Sequence, residues 1–383
     1  MAKKSKNKRS SKRRNPAAEL TDDLLVEILS RLPAKSVCRC RCVSRRWDGL
    51  IADPHHRKKL PQTLAGFFCR SENEGRFPEE AQHFVNVTGR GRPRVHPSLS
   101  FLPRLQRVRV VDSCGGLLLC RCYVSAHAFR YVVCNPSTDQ WVALPESGYC
   151  PEGGGDEFCT RLGFDPAVSS HFHVFEFVIY DGEYVDGVKI FSSATRGWNY
   201  SESKWFPEYT ISYDQRSVFF NGILYMITGP SIVAVDAEGA TWWDKPVLEM
   251  EDEPDMIGWW PCFIGKSQGK VFYFSERGIY PFNRSLSIWV LEDYSKDEWT
   301  WKHNVTTEEL SEKINCKCKT GFDFDDLYYF HVVTVHPDCN LIYYSFGRDR
   351  TLMAYDMDSE ESHVIQKLGS DFKLEFVPYV PFY

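Results

Sequence analysis

The stretch Cys134-Asn-Pro-Ser-Thr-Asp-Gln-Trp141 ends an apolar run, passes through polar residues and resumes with a Trp. Asn, Pro, Ser and Asp favour tight turns, whereas the flanking Val, Tyr and Trp favour strands, so we expect two short strands joined by a turn. The same pattern, in which a Trp stands six positions after the first turn residue, occurs four times. The pairs are Asn135 and Trp141, Ser192 and Trp198, Asp236 and Trp242, and Asp293 and Trp299. A fifth copy runs from Asp356 to His363, with His in place of Trp.

The spacing of these copies indicates a repeat architecture. Successive Trp positions are 57, 44 and 57 residues apart (141 to 198, 198 to 242, 242 to 299). This is close to the period of about 50 residues in kelch-type β-propellers. A unit of four short strands cannot bury its apolar faces alone, and radial stacking of units removes most exposed strand edges. The repeat therefore predicts a β-propeller.

The residues around the repeats are β-rich from about residue 62 onward. Short apolar runs alternate there with Gly, Pro, Asn and Asp, and helical periodicity ends. Examples of such runs are Gly116–Cys120, Tyr131–Cys134, Val174–Ile179, Gly222–Ile227, Lys270–Phe274 and Leu341–Tyr344. We expect about six blades over residues 61–383, five from the repeats and one from residues 62–112. The alternating run Phe372-Lys-Leu-Glu-Phe-Val-Pro-Tyr-Val380 is expected to add a strand to the first blade and close the ring.

The N-terminal part has a different, helical pattern. It contains Leu20-Thr-Asp-Asp-Leu-Leu-Val-Glu-Ile-Leu-Ser-Arg-Leu-Pro-Ala-Lys-Ser-Val-Cys-Arg-Cys-Arg-Cys-Val-Ser-Arg-Arg-Trp47. Thr21 is a candidate N-cap, and the acidic pair after it suits the positive end of a helix dipole. Apolar residues then recur at helical spacing and predict one stripe: Leu24, Leu25, Ile28, Leu29 and Leu32.

Two further short helices are predicted after this one. Pro33 ends the first helix, because proline lacks an N–H donor and restricts the residue before it. A second helix is expected from Ala34, with Val37 and Cys40 facing inward. The third apolar set is Val43, Trp47, Leu50 and Ile51, and it ends at Asp53-Pro54.

The stretch from Leu20 to about residue 57 resembles an F-box, the helical module that docks on the Skp-type adaptor of cullin–RING ubiquitin ligases. The matching features are the Leu, the acidic pair, Leu-Leu, Glu-Ile-Leu, Arg-Leu-Pro, Lys-Ser, Arg-Cys-Val-Ser and Trp. The resemblance implies an F-box over residues 20–60. The adaptor-binding residues that it implies are Leu20, Leu24, Leu25, Ile28, Leu29, Leu32, Pro33, Val37, Val43 and Trp47. The chain departs from the family pattern at Thr21, where Pro is usual, and at Cys38 and Cys40, where Leu and Phe are common.

The β-rich part resembles the kelch-like F-box-associated domains of plant F-box proteins. The motifs that carry this resemblance are Asp112-Ser-Cys-Gly-Gly-Leu-Leu-Leu119, Cys134–Trp141, Leu162-Gly-Phe-Asp-Pro166 and Phe220-Asn-Gly-Ile-Leu-Tyr225. Repeated Trp residues are expected mainly in core or inter-blade packing. Trp242-Trp243, Trp259-Trp260 and Tyr149 are alternative candidates for a ligand surface. The target-binding residues are not identifiable from the sequence.

Residues 1–19 are strongly basic and are expected to form a disordered tail. Three interpretations are open: a nuclear localisation signal, a solvated tail without a role, or a nucleic-acid patch. The residues assigned to a nuclear signal are Lys3, Lys4, Lys12, Arg13 and Arg14. Nucleic-acid binding is disfavoured because the tail has no stacking aromatic residues. The expected localisation is nuclear and cytoplasmic.

Composition limits the remaining function classes. No apolar run approaches the ~20 residues of a membrane-spanning helix, and the N-terminus lacks the apolar core of a signal peptide. Fourteen Cys without a secretory signal suggest reduced thiols. The Cys-x-Cys pairs lack zinc-site spacing, and His171-x-His173 lacks a clear third ligand. We therefore expect no metal and no cofactor.

Three functions are weighed. The first is a substrate receptor of an SCF-type cullin–RING ubiquitin ligase, whose F-box docks the adaptor and whose propeller binds a target protein. The second is an enzyme on a propeller, such as a hydrolase or a copper oxidase. No G-x-S-x-G, H-E-x-x-H or P-loop sequence supports it, so no catalytic residues are assigned. The third is an F-box protein outside a ligase, acting as a scaffold or a carbohydrate- or nucleic-acid-binding module.

Overall fold

The computed structural model describes residues 20–32, 34–53, 56, 59–60, 64–72, 80–102, 107–125, 128–148, 159–180, 184–205, 211, 216–228, 231–246, 259–279, 282–293, 298–310 and 329–382. The chain divides into two units, Met1–Pro61 and Gln62–Tyr383. We call them the helical unit and the propeller unit.

The helical unit contains α1 (Asp22–Ser30), α2 (Ala34–Cys40) and α3 (Arg45–Ala52). The Thr21 side chain accepts a hydrogen bond from the Leu24 amide, and the Ser44 side chain accepts one from the Trp47 amide. Each hydroxyl thereby satisfies an amide that the helix itself leaves unpaired. The predicted N-cap at Thr21 and the two later helices are confirmed.

The predicted apolar stripe of α1 is divided between two faces. Leu25 and Leu29 are buried, and Leu25 packs with Val26 and Leu50. Leu24 and Ile28 are exposed instead, so a single inward-facing stripe is wrong. Leu24 and Leu25 are adjacent in the sequence, so their side chains point 100° apart on the helix. The small core of this unit accommodates only Leu25. The remaining core contacts are made by Leu29, Val37, Ile51 and Leu60, with Leu32, Cys40 and Trp47 partly buried beside them.

The propeller unit has five four-stranded blades and one three-stranded blade. In each case the strands are given from the inner to the outer edge. Blade I is β3 (Arg107–Cys114), β4 (Leu117–Tyr123), β5 (Phe129–Asn135) and β6 (Gln140–Ala143). Blade II is β7 (Thr160–Gly163), β8 (His173–Tyr180), β9 (Tyr184–Ser192) and β10 (Gly197–Glu202). Blade III is β11 (Ser217–Phe220), β12 (Ile223–Thr228), β13 (Ser231–Asp236) and β14 (Trp242–Pro246).

Blade IV is β15 (Trp259–Ser267), β16 (Lys270–Ile279), β17 (Phe282–Asp293) and β18 (Glu298–Thr306). Blade V is β19 (His331–Val335), β20 (Leu341–Phe346), β21 (Thr351–Asp356) and β22 (Glu361–Lys367). Blade VI is β23 (Val377–Tyr379), β1 (Gly66–Glu72) and β2 (Glu80–Asn86). All neighbouring strands within a blade are antiparallel, as in β1 with β23.

The six blades form a closed ring. Each of the inner strands β3, β7, β11, β15, β19 and β23 contacts the inner strand of the next blade, and β23 contacts β3 again. The C-terminal strand β23 pairs with β1, so that Phe68 lies opposite Val377 and Gly66 opposite Tyr379. The predicted closing strand is therefore confirmed, and it pairs with the inner edge of β1.

The repeated turn has the same position in every four-stranded blade, between the third and fourth strands. In blade I, Asn135 ends β5, and Trp141 lies in β6. Trp198, Trp242 and Trp299 are partly buried, and each packs edgewise or tilted on another aromatic ring. Trp141 is exposed, so the prediction of core packing is wrong for this copy.

Blade VI differs from the prediction that residues 62–112 supply it. Arg107–Asp112 belong to β3 of blade I, and blade VI takes its inner strand from the C-terminus. Residues 87–102 replace a fourth strand beside β2. They are held by Asn86 and Gln82, and their Leu99 and Leu102 are buried in the same core as Phe68. The sequence lacks a repeat copy there because this blade has no third-to-fourth-strand turn.

The double glycine of the Asp112–Leu119 motif makes the turn between β3 and β4. Gly115 and Gly116 have φ values of 57° and 87°, which favour glycine. A Cβ at Gly115 would meet Phe164, and one at Gly116 would meet Phe382. The pair is thus required both by the turn and by the close approach of the C-terminal segment.

Candidate functional site

The helical unit presents three large apolar side chains to solvent. Leu24 is 52% exposed, Ile28 is 45% exposed and Val43 is 61% exposed. Leu24 and Ile28 are one helical turn apart on α1, and Val43 lies just before the Ser44 cap of α3. We call these three residues the apolar surface. Each forgoes roughly 1.5–3 kcal/mol of burial while it remains in water, so the surface favours a partner.

Two ion pairs hold the helices that carry this surface. Arg46 of α3 contacts Asp22 at the start of α1 at 2.7 Å and also donates to the Leu20 carbonyl at 2.6 Å. Arg41 contacts Asp48 at 2.7 Å. These exposed pairs add little stability individually. The Arg46 contacts join the start of α1 to α3, and the Arg41–Asp48 pair joins the residue after α2 to α3.

The ten residues assigned to adaptor binding fall into four groups. Leu24, Ile28 and Val43 form the apolar surface. Leu25, Leu29 and Val37 are buried inside the helical unit, where they shape that surface without being free to touch a partner. Leu20, Leu32 and Trp47 are partly buried at the edge of the core. Pro33 lies outside the described residues, as do the tail residues Lys3, Lys4, Lys12, Arg13 and Arg14.

The propeller unit has two unlike ends. The turns between first and second strands and between third and fourth strands lie at one end, which we call the short-turn end. The connections that join blades I to V start and finish at the other end, and all four are long: 144–159, 203–216, 247–258 and 307–330. Long connections on a rigid scaffold are where propellers and other folds place binding residues. We call this end the long-connection end.

A cluster of charges joins the two ends of the chain at the long-connection end. Arg70 of β1 contacts Glu80 of β2 at 2.8 Å and also pairs with Glu375. Arg109 of β3 contacts Glu375 at 3.4 Å, and Lys373 contacts Glu80 at 3.2 Å. We call these five residues the closure cluster. It ties the C-terminal segment to blades VI and I.

The electrostatics of the closure cluster favour the ionised form of Glu80. Burial alone would raise the pKa of Glu80, but the charge of Arg70 and the hydrogen bond from Lys373 outweigh burial. The pKa of Glu80 is therefore lowered. The sequence did not identify this cluster, because its members are up to 305 residues apart and no local pattern connects them.

A buried carboxylate joins blades I and II in a similar way. Asp112 of β3 accepts hydrogen bonds from the Ser113 and Leu162 amides, both at 2.8 Å. Burial raises the pKa of Asp112, and Arg161 and Arg216 oppose that rise. This explains why the Asp of the Asp112–Leu119 motif stands next to the turn, where it fixes the first strand of the neighbouring blade.

Two of the aromatic candidates for a ligand surface, Trp242 and Trp243, pack against other aromatic rings of the propeller unit. Trp242 packs against Trp205 with ring centroids 4.7 Å apart, and its indole donates to the Gly239 carbonyl. Trp243 packs on Tyr225. The side chains of Trp259 and Trp260, and all of Tyr149, lie outside what the structure describes.

Metal-binding clusters and membrane-spanning helices are both absent from the described residues. Among the described residues, no three His, Cys, Asp or Glu side chains are grouped to hold a metal ion. Within the same part of the chain, no helix has the length and apolar character needed to cross a membrane. His173 lies beside the Phe219 ring, and burial lowers the pKa of this His.

Comparisons with known proteins agree with this architecture. The model of the F-box domain matches residues 18–59, and that of the F-box associated beta propeller domain matches residues 86–234. F-box protein At5g07610 of Arabidopsis thaliana is 27% identical over 336 residues, covering 82% of this chain and 76% of the relative. F-box protein DOR of the same species is 26% identical over 295 residues, covering 72% of each chain.

A solved structure supports the fold alone. TolB from Acinetobacter baumannii superposes with a TM-score of 0.50 at 10% identity, covering 86% of this chain and 70% of TolB. The two family matches lie in the helical unit and in the propeller unit, respectively. The chain therefore carries an F-box domain followed by an F-box-associated β-propeller domain.

Proposed function

We propose that this protein is the substrate-receptor subunit of an SCF-type cullin–RING ubiquitin ligase. The helical unit docks a Skp-type adaptor through the apolar surface, and the propeller unit binds a target protein. The observation that carries the proposal is the exposure of Leu24, Ile28 and Val43 on a unit whose own core is already filled. F-box domains generally bind Skp-type adaptors, which supplies the partner for that surface.

The protein would act without a catalytic residue of its own. Holding a target near the ubiquitin-loaded enzyme raises its effective concentration, and this alone accelerates transfer. F-box proteins are generally non-catalytic adaptors, in line with this role. The long-connection end is the expected site of target binding, because its four long connections provide the variable surface of the ring.

Adaptor binding tests the proposal directly. In a pull-down with purified Skp-type adaptor, Leu24→Asp with Ile28→Asp should abolish binding, because each Asp would place an unpaired charge in an apolar interface. Neither side chain is buried within the helical unit, so the helices should persist. Unchanged capture of the adaptor by the double variant would refute the assignment.

Two controls separate contact from folding. Val168→Asp introduces a charge at an exposed apolar position of the propeller unit and should leave adaptor binding unchanged. Leu29→Asp instead places a charge in the buried core of the helical unit, so it should remove both helical circular dichroism and binding. If the Leu24→Asp/Ile28→Asp variant loses its helices, its pull-down cannot distinguish contact from folding. The pull-down is then decided by Val43→Asp, which changes an exposed residue outside the helices and should also abolish adaptor capture.

We also propose that the basic tail directs part of the protein to the nucleus, giving a nuclear and cytoplasmic distribution. The support is the density of Lys and Arg in the first 14 residues. Replacing Lys12, Arg13 and Arg14 with Ala should shift a fluorescent fusion toward the cytoplasm. An unchanged distribution would remove the proposal.

A further inference from the structure

The segment that replaces the fourth strand of blade VI is held by one buried amide. Asn86 donates from Nδ2 to the carbonyls of Arg90 and Arg92, both at 2.9 Å, and to that of Gly91 at 3.4 Å. Its Oδ1 accepts from the Arg94 amide at 3.0 Å. The backbone of residues 90–94 therefore curls around the Asn86 side chain. Four hydrogen bonds to one side chain fix a segment that has no strand partner.

Glycine makes this curled backbone possible at its first bend. Gly89 has a φ of 64°, and a Cβ there would meet the backbone of Ile365 in blade V. The segment is thus packed between Asn86 on one side and the outer strand of blade V on the other. Asn86 pairs with Gly66, and Gly66 pairs with Tyr379, the last residue of the inner strand β23. The inner strand ends at the short-turn end, so the segment after Asn86 starts there.

Three arginines project from this fixed backbone. Arg90, Arg92 and Arg94 are exposed, and no ion pair joins any of them to another described residue. Residues 87–102 contain no Asp or Glu. Their guanidinium groups therefore have donors available for an external partner. We call these three residues the arginine loop.

The arginine loop contrasts with the charge of the rest of the body. Residues 1–19 contain eight Lys or Arg and one Glu. Subtracting them from the 46 basic and 51 acidic residues of the chain leaves 38 and 50, a net charge of −12 for residues 20–383. An extended polyanion, such as a long nucleic acid or a membrane surface, would reach beyond the loop and be repelled by this negative net charge. A short anionic segment would not.

The arrangement of the arginines narrows the ligand further. The carbonyls of residues 90–92 converge on Asn86, so the exposed side chains leave the outer side of the bend at separate positions. Separate guanidinium groups suit several carboxylates along a peptide, each accepting paired N–H bonds. No exposed Phe, Tyr or Trp occurs in residues 87–102, so the large stacking rings of a single-stranded nucleic-acid site are missing from this segment.

We propose that the arginine loop is a docking site for an Asp/Glu-rich peptide segment of a partner protein. The site belongs to the propeller unit and lies at the end of the ring opposite the long-connection end. It binds through charge-assisted hydrogen bonds and is weakened by salt.

Fluorescence anisotropy with labelled hexaglutamate tests the proposal on the full-length chain at low salt. Because the tail is also basic, all versions carry Ser at its eight Lys and Arg positions. Hexaglutamate should bind, and Arg90→Ala with Arg92→Ala and Arg94→Ala should weaken binding at least tenfold. A matched control removes three exposed cations that are dispersed over the ring: Arg130, Lys204 and Lys367. It should bind as the parent does.

A second variant tests the fixed backbone. Asn86→Ala keeps all three arginines but removes the four hydrogen bonds, so it should weaken binding severalfold without changing net charge. Absent hexaglutamate binding, or equal loss in the dispersed control, would overturn the proposal. Tighter binding of a doubly phosphorylated serine peptide or of a single-stranded 12-nucleotide DNA would replace the ligand class and also overturn it. The assay contains no adaptor, so its outcome is independent of the proposed ligase function.

Discussion

Arg70 of β1 pairs with Glu375, which lies 305 residues further along the chain. The pair joins the first strand of the ring to the segment that leads into its last strand. Its position matters because β23 is the inner strand of blade VI and touches both β19 and β3. β23 pairs with the inner edge of β1, and this ion pair lies where the ring closes.

Removing Arg70, the cation that contacts both carboxylates of the closure cluster, should destabilise the propeller unit. Arg70→Met leaves Glu80 and Glu375 facing each other without their shared partner, and the Arg70 side chain is only 7% exposed. We expect a loss of about 2 kcal/mol in the free energy of unfolding, below the 3–5 typical of fully buried pairs because the two carboxylates are partly exposed. Urea denaturation measures it.

Arg107→Met is the matched control for that prediction. Arg107 is 3.5 Å from Glu80, but its side chain is 37% exposed. Exposed pairs are typically worth less than 1 kcal/mol. An equal loss in the free energy of unfolding in the two variants would show that the buried Arg70 pairs stabilise the propeller unit no more than an exposed pair does.

The closure cluster should also make stability depend on acid pH. The pKa of Glu80 is lowered in the folded state from its ordinary value of 4.5. Its contribution is then fully present above pH 4.5 and is lost as the pH falls through the folded-state pKa. Between pH 6 and pH 3, Glu80→Gln should show a smaller decline in melting temperature than the parent. Glu361→Gln, at an exposed position of β22, should retain the parent's decline.

Local patterns predicted those parts of the fold that local chemistry determines. The turn from Asn135 to Trp141 and its copies each mark the same third-to-fourth-strand turn, since turn residues and strand residues are adjacent in sequence. The alternation in Phe372–Val380 likewise predicted the closing strand. The sequence did not predict the composition of blade VI, because β1 and β23 are far apart in the chain and no local sequence pattern indicates that they pair.

The candidate site was predicted only in part for a similar reason. Helical periodicity placed Leu24, Leu25, Ile28 and Leu29 in one stripe, but which half faces inward depends on where α2 and α3 pack. The fixing of the arginine loop by Asn86 depends on a buried amide whose four bonds no sequence pattern indicates. Sequence periodicity therefore identifies amphipathic elements more reliably than it separates core from interface.

The departure from the family pattern at Thr21 should be nearly neutral. Thr21 has φ −68° and ψ 159°, which a proline adopts without strain. Thr21→Pro removes the cap bond of 3.4 Å to the Leu24 amide, at a cost of about 1 kcal/mol. It also restricts the unfolded chain, which stabilises by about 0.4–1 kcal/mol.

We therefore expect Thr21→Pro to change helical-unit stability by less than about 1 kcal/mol and to retain adaptor capture. Circular dichroism at 222 nm follows the helices during denaturation. Glu27→Pro, in the exposed middle of α1, is the contrasting variant and should cost roughly 3 kcal/mol or more. Similar effects of the two prolines would show that the Thr21 backbone does not suit proline.

The C-terminal segment should be indispensable to the propeller unit but not to the helical unit. Deleting residues 371–383 removes β23, the buried side chains of Phe376 and Tyr379, and Glu375 of the closure cluster. It also exposes the inner edge of β1, which invites edge-to-edge association. The propeller unit should then lose its cooperative melting transition and aggregate.

A graded variant shows whether that loss comes from packing. Phe376→Ala keeps the strand and its backbone bonds but leaves a cavity among Phe67, Tyr343 and Leu352. We expect it to cost about 3–5 kcal/mol while the transition stays cooperative. Adaptor capture should persist in both variants, because the helical unit has its own core at residues 20–60. An unaltered transition after deletion would show that the ring does not need its closing strand, since the loss of two fully buried aromatic side chains could not otherwise leave its stability unchanged.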